Sequence, residues 1–411
     1  MKPMTKPVFL AAGAYTVSLG TGRREFSPRI PRPGLDHYLK EAGRAVLAQL
    51  SDPGALDEGV VGNFMAARFN RQGHLGAMMA IIHPTLEYKP ALRVEGACAS
   101  GGLALATGIK SVLSGLADAV LVLGVEVQNT VKALYCADYL AGAGYYEGER
   151  KAGAAFFFPG RFSERAGAYA AKVGGAQARA AMAHWYRNAV EHARLNPEAQ
   201  EFQNASADLL AQGLTEPNPR AFTEHLNLFD CSKVSDGAAA VVIASAEGLS
   251  RLGLARQDAV EVAGIGQCAA NLTTPPPDLT ELTTCGLAAA RARAMAGIGI
   301  QDAGVFEVHD CFTISGLLSV EALGLAKPGG GADLVLAGET RRTGRFPVNT
   351  GGGLIGYGHP TGATGVRMAV DLWRQLTGRA GDFQVPLAKE HGIMVSMGGN
   401  DKTAVALVLR R

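Results

Sequence analysis

The stretch VEGACASGGLALATG, residues 94–108, decides how this chain is read. Apolar positions Leu105, Ile109, Val112, Leu113 and Leu116 recur at helical spacing over 102–117, directly after a Gly-rich turn. The apolar run AVLVLGV (119–125) then reads as a strand. A second copy of this plan lies far along the chain. GGGLIGYGHPTGATG (351–365) precedes Val366, Ala369, Val370, Trp373 and Leu376 at the same spacing, and GIMVSM (392–397) follows as a strand. Two turn–helix–strand units of one kind predict an α/β protein built from two similar halves.

Further strands are predicted at VVGNF (60–64), AVVIAS (240–245), VEVAGI (260–265), VFEVHD (305–310) and TAVALVL (403–409). Several are apolar throughout, as strands covered on both faces should be. Residues 126–232 lack clear strands and read as a long insertion lying over one half. A second irregular segment, NLTTPPPDLTELTT (271–284), is expected to link the halves at the surface. This divides the chain into an N-terminal half (1–125 and 233–268), the insertion (126–232) and a C-terminal half (269–411).

Composition sets bounds on function. The 411 residues include 53 glycines, about 13% against roughly 7% in average usage, so many tight turns and close backbone approaches are needed. A formal net charge of +2 is too small for a protein that neutralises nucleic-acid phosphates. No apolar segment approaches the ~20 residues that span a bilayer, and the N-terminus lacks a secretory pattern, so the expected location is cytoplasmic. The six cysteines form no CxxC pair, which argues against a structural metal centre or a disulfide framework. Each is judged singly, most as buried fillers.

Four places could carry chemistry. Cys98 stands where a helix begins, where free backbone N–H groups and the helix dipole favour thiolate; it is either a nucleophile or a small residue packing the helix start. Its small neighbours would let a substrate backbone approach. His359, between glycines and Pro360, suits a general base or thiol activator, or marks a structural turn. In HDC (309–311), His309 and Cys311 are two apart and would face one side of an extended strand end, while Asp310 points away and braces backbone. The glycines of SMGGNDKTAV (396–405) could offer oxyanion-binding amides or simply turn a hairpin, and the hairpin is favoured.

Taken together, CASGG, CSKVSDGAAAVVIAS (231–245), HDCF, GGLIGYGHPTGATG and the closing GG loop resemble the thiolase family in content and order. HDCF and GGNDKTAV are most similar to its sterol-carrier-protein type. The resemblance implies two five-stranded α/β halves in αβαβα layers with an inserted loop domain. It also implies CoA-dependent cleavage of 3-oxoacyl-CoA or the reverse Claisen condensation, as in β-oxidation and lipid metabolism, with coenzyme A as substrate and no tightly bound cofactor or metal. By motif, Cys98 would be the acylated nucleophile, His359 its base, Cys311 the second acid/base, and His309 a ligand for the enolate oxygen. The amides of Cys98 and Gly398 would form the oxyanion hole. Ser396 stands where ordinary members have their second catalytic cysteine, and a hydroxyl is too weak an acid for that role; Cys311 supplies the missing thiol.

The family further implies a homodimer or homotetramer, no nucleic acid and no membrane. Related alternatives are an aldolase or condensing subunit with a small accessory partner, or a non-catalytic CoA-ester binder. Arg150, Lys151, Arg161, Arg165 and Lys172 of the insertion would meet CoA phosphates or face solvent. FFFPGRF (156–162) would line an acyl pocket, a subunit contact or ordinary core.

Overall fold

A computed structural model of the protein describes residues 4–27, 29–151 and 155–411; positions 152–154, inside the insertion, lie outside it. Its strands are β1 (Phe9–Tyr15), β2 (Leu19–Gly20), β3 (Glu58–Gly62), β4 (Ala91–Val94), β5 (Ala119–Glu126), β6 (Ser235–Ala244), β7 (Val260–Ala269), β8 (Ala303–Val308), β9 (His391–Gly398) and β10 (Thr403–Arg410). They run in the order β4-β3-β5-β6-β1-β7-β10-β9-β8, with β2 attached to β6.

The order repeats itself. In the N-terminal half β4, β3 and β5 are parallel, and β6 and β1 follow antiparallel. In the C-terminal half Val348 bridges β8 in parallel, β8 is parallel to β9, and β10 and β7 follow antiparallel. The fifth strand of this half has shrunk to one bridge, so the expected five-and-five plan is realised as five strands and four strands plus a remnant. The halves join where Phe9 and Leu10 of β1 pair with Glu261 and Val260 of β7.

The apolar strands are explained by burial on both faces. In β5, Leu121, Leu123 and Val125 pack outward with helix Leu35–Leu47, while Val120 and Val122 face a central layer. That layer holds helices Ser100–Ser114 and Thr361–Thr377, whose Leu105, Ile109, Val366 and Val370 share one core with strands of both halves of the sheet. The apolar stretch Ala97–Ser114 is thus interior. On the other face of the C-terminal strands, helices Thr283–Ala296 and Thr313–Leu323 close the far side together with insertion helices Phe157–Val173 and Gly175–Ala193. Among the described residues no named strand lies between β5 and β6.

Three expectations change. Strand β7, assigned by sequence to the N-terminal half, pairs with β10 along its length and with β1 at two positions only. The Pro-rich segment 271–284 therefore lies within the C-terminal half, not between the halves; Arg165 pins it through the carbonyls of Leu279 and Glu281. The strand expected to reach residue 310 stops at Val308, because the Asn349 side chain takes the place of a strand neighbour, accepting from Val308 N at 2.8 Å and donating to Val308 O at 3.1 Å. Strand β1 escaped the sequence reading because it is rich in alanine and glycine and breaks register around Ala12, whose φ is +53°.

Candidate active site

Two helix starts meet at the middle of the molecule, and glycine makes this possible. A Cβ on Gly101 would lie 2.8 Å from Gly362 O, and one on Gly365 would fall onto Gly102 N. Backbone touches backbone where helices Ser100–Ser114 and Thr361–Thr377 begin. The small residues after Cys98, read from sequence as room for substrate, admit the second helix instead. The result sets Cys98 against His359.

Cys98 follows Ala97, a buried residue at φ +54°, in the left-handed region that costs a non-glycine residue about 1 kcal/mol or more. The Ser100 hydroxyl holds this turn, accepting from Gly96 N at 3.0 Å and donating to Ala97 O at 2.6 Å. Cys98 stays partly accessible while its surroundings desolvate it, pushing its pKa up to about 12 against a favourable hydrogen bond from the Gly399 amide. Gly398, the expected oxyanion donor, is the last residue of β9, in register with Thr403. The amide that meets the thiol belongs to Gly399, the first residue beyond the strand, at φ +64°.

The His359 main chain is fixed from both sides: Ser235 Oγ accepts from its N–H at 2.9 Å and Gln128 Nε2 donates to its carbonyl at 3.1 Å. Its Nδ1 lies 2.7 Å from Thr364 Oγ1, whose own proton goes to Pro360 O. The threonine oxygen must therefore accept, which puts the ring proton on Nδ1 and leaves Nε2 as a free base. Nε2 is buried without a partner. Burial lowers the pKa to about 3, with Arg367 adding to the effect, so the resting ring is neutral.

His309 stands edge-on to His359, ring centroids 5.1 Å apart at 86°. Its pKa is also driven well down by burial and then by His359. The donor atoms of Cys98, His309 and His359 all lie within 4.8 Å of one another. Cys311 lines the same cavity, its thiol pushed up by burial and next by Cys98, and it meets Ser315 Oγ at 3.6 Å. The Ser315 hydroxyl has its single proton between the carbonyls of Phe312 at 2.7 Å and His309 at 3.1 Å, locking the turn. Asp310 lies outside the cavity, accepting from Leu354 N at 2.7 Å and Trp185 Nε1 at 2.9 Å. So the HDC triplet divides as the sequence suggests, although the strand alternation invoked for it has already ended.

The sequence reading missed Glu126. Its buried carboxylate accepts from Asn63 Nδ2, Phe64 N, Met65 N, Thr361 Oγ1 and Gly362 N at 2.9–3.1 Å. Burial pushes its pKa up, yet five donors and no acceptor hold it as a carboxylate. It ties the β3 end to the first turn of the His359 helix, where negative charge suits the dipole. The available signal was an acid closing the apolar run AVLVLGVE.

Above the reactive groups opens a cavity of about 170 Å³ with largely apolar walls. Helix Ala133–Leu140 supplies Ala133, Cys136, Ala137 and Leu140, and the FFFPGRF segment supplies Phe156, Phe158 and Phe162. Phe162 stacks on Phe312 at 4.5 Å. Ser396 is buried in β9 beside Gly102 and does not line the cavity. Of the basic residues noted in the insertion, Arg165 is fully buried and bound to Asn400, while Lys151 is exposed.

Comparison with known proteins gives a consistent result. Residues 35–247 match the family described as "Thiolase, N-terminal domain" and residues 267–411 the one described as "Thiolase C-terminal domain-like". The chain is 35% identical over 378 residues to the acetyl-CoA acetyltransferase of Methanothermobacter thermautotrophicus, covering 91% of this chain and 94% of that one. It is 32% identical over 400 residues to sterol carrier protein 2 of Rattus norvegicus, covering 88% and 69%. A solved structure titled "Ltp2-ChsH2(DUF35) aldolase" superposes with TM-score 0.75 at 20% identity, covering 100% of this chain and 99% of that one.

Proposed function

The chain belongs to the thiolase family and is an acyltransferase, and from that premise we propose how its own residues carry the reaction. The reaction is CoA-dependent cleavage of a 3-oxoacyl-CoA, or its reverse. Neutral Cys98 and neutral His359 form the resting pair. As the sulfur attacks the C3 carbonyl, its proton passes to His359 Nε2, and the positive end of helix Ser100–Ser114 favours the charge on sulfur. The Gly399 amide, which lies close enough to that thiol to favour its ionised form, would receive the oxyanion together with the Cys98 amide. Rupture of the C2–C3 bond leaves an acetyl-CoA enolate, whose oxygen takes hydrogen bonds from the two imidazoles while Cys311 gives its proton to C2. Cys98 is now acylated, His359 protonated and Cys311 a thiolate. Cys311 then takes the proton of incoming CoA, the CoA sulfur displaces Cys98 from the acyl group, and His359 returns its proton.

The observation that carries this reading is the convergence of Cys98, His309 and His359 within 4.8 Å in a cavity shared with Cys311. The apolar walls favour an acyl chain larger than acetyl in the shortened product, and the HDCF box supports grouping the chain with the sterol-carrier-protein type. Free thiols at all six cysteines suit the reducing cytoplasm. A dimer would form through the N-terminal half, where β4 is an edge strand with exposed Leu92. Resemblance to a structure titled as a two-component aldolase favours one second reading, work with a small accessory subunit.

The test is intact-mass analysis of the enzyme mixed with an acyl-CoA. One added acyl group is expected, absent in Cys98→Ala, with thiolysis reduced roughly 10⁴-fold or more. Unchanged turnover in Cys98→Ala would remove the enzyme reading.

A further inference from the structure

We propose that Cys98, His309 and His359 also form a binding site for a thiophilic divalent transition metal, Zn²⁺ in the first place, and that its occupancy switches the enzyme off. Three ligand atoms, one sulfur and two ring nitrogens, lie within 4.8 Å of one another. His309 and His359 are only 1% and 8% exposed, and Nδ1 of the first and Nε2 of the second are buried with no hydrogen-bond partner. Both histidines line the cavity beside Cys98, and an unpaired ring nitrogen on each leaves bonding capacity for a ligand there. Substrate is one such ligand; a metal ion is chemically another.

Neutral imidazole and thiolate are the donors Zn²⁺ prefers. With bonds of about 2.0–2.1 Å to nitrogen and about 2.3 Å to sulfur, the donors of a tetrahedral site stand roughly 3.3–3.6 Å apart. The separations here, at most 4.8 Å, need to close by up to about 1.2–1.5 Å through movement of both the Cys98 side chain and the imidazoles. The hydrogen bond from His359 Nδ1 to Thr364 presets the tautomer that leaves Nε2 free, which is how ligating histidines are normally oriented. Cys311 lines the same cavity but stands outside this cluster, so the fourth position is left to a water molecule or an exogenous donor. At the corresponding position of the other half, after β3, stands Asn63, whose amide is already spent on Val125 O, Glu126 and Ala66 N. Only the C-terminal half offers an imidazole there.

Binding exchanges the Cys98 proton for the metal: the thiol releases H⁺ to solvent, a sulfur–metal bond forms, and nothing is oxidised or reduced. Metal and acyl group then compete for one sulfur.

Titration of the whole enzyme with Co²⁺ tests the site, because a thiolate–Co²⁺ bond gives a charge-transfer band and a tetrahedral ion gives visible d–d bands. One equivalent per chain is expected, displaced by Zn²⁺. The band should vanish in Cys98→Ala and appear only at metal concentrations at least about tenfold higher in His309→Asn, since loss of even an outer-shell partner costs 10–100-fold. His309→Gln serves as a second variant, and circular dichroism and thermal melting establish that each is folded. Zn²⁺ should abolish thiolysis over the same range and a chelator restore it. An undiminished band in Cys98→Ala, placing the metal on other cysteines, or no band in the wild type would overturn the proposal. The titration reads resting enzyme, so metal binding without thiolysis would sink the reaction proposed above and leave this site standing.

Discussion

Each half of the molecule ends its second strand on a polar residue at the same place in the fold, and the two residues meet opposite fates. Asn63 after β3 uses every group it has: its amide donates to Val125 O and Glu126, and its oxygen accepts from Ala66 N. His309 after β8 is just as buried and leaves Nδ1 without a partner. Likewise Glu126, closing β5, is saturated by five donors, whereas His359 keeps a bare Nε2 toward the cavity. One architecture, used twice, has been finished once as an anchor and once as a reaction centre. In this pair of positions the fully hydrogen-bonded groups hold structure, and the two imidazoles with an unpaired nitrogen line the cavity.

The sharpest way to break this contrast is to unpair the anchor. Glu126→Gln replaces one acceptor oxygen with a donor facing other donors, so unfolding titrations should show a loss of about 3 kcal/mol or more. Turnover should fall as well, because Glu126 holds the first turn of the His359 helix. A stable, active Glu126→Gln enzyme would mean that the N-terminal half is not an anchor.

Gly365→Ala probes the seam between the halves. Its Cβ would fall onto the Gly102 backbone, which cannot move as a side chain can, so the helix starts must separate at a cost of about 1–3 kcal/mol. Rates should drop more than melting behaviour suggests, since Cys98 and His359 separate with them. Equal rates at equal folding would show that the pair does not depend on the glycine contact.

The smallest expected effect concerns pH. His192, packed on the C-terminal half and hydrogen-bonded through Nδ1 to Asn349 O at 3.1 Å, has its pKa lowered by burial to about 4. The unfolded chain binds that proton near 6.5, so between the two values the unfolded state holds more protons and stability falls as pH falls. In His192→Asn this contribution is gone. Denaturation at several pH values should therefore show the stability gap between wild type and variant narrowing by about 1–2 kcal/mol from pH 7 to pH 5. A constant gap would show that His192 is not held neutral.

Much of this was legible in the sequence, for identifiable reasons. The strands buried on both faces announce themselves by unbroken apolar runs, and the repeated Gly-rich turn before each central helix gives away the duplication. Cys98, His359, His309 and Cys311 stand out because reactive residues crowd into turns that have little core to fill. What stayed hidden was set by distant partners. Strand β1 was masked by alanine, glycine and a bulge, and the short edge strand β4 by its half-exposed surface. Glu126 looks like any strand-end acid until five donors from two segments reach it. Gly398 and Gly399 cannot be told apart by composition; the register of the β9–β10 hairpin decides which amide meets the thiol.

The division of labour between the two thiols is tested most directly by Cys311→Ala, assayed for two reactions. Exchange of acetyl groups between acetyl-CoA and free CoA moves no proton at carbon; Cys311 handles only the CoA thiol proton there, which water can carry in its place, so exchange should largely survive. Thiolysis of a 3-oxoacyl-CoA also needs a proton delivered to carbon, and should fall by about 10²–10⁴-fold. Thiolysis persisting at the wild-type rate in Cys311→Ala would contradict the account.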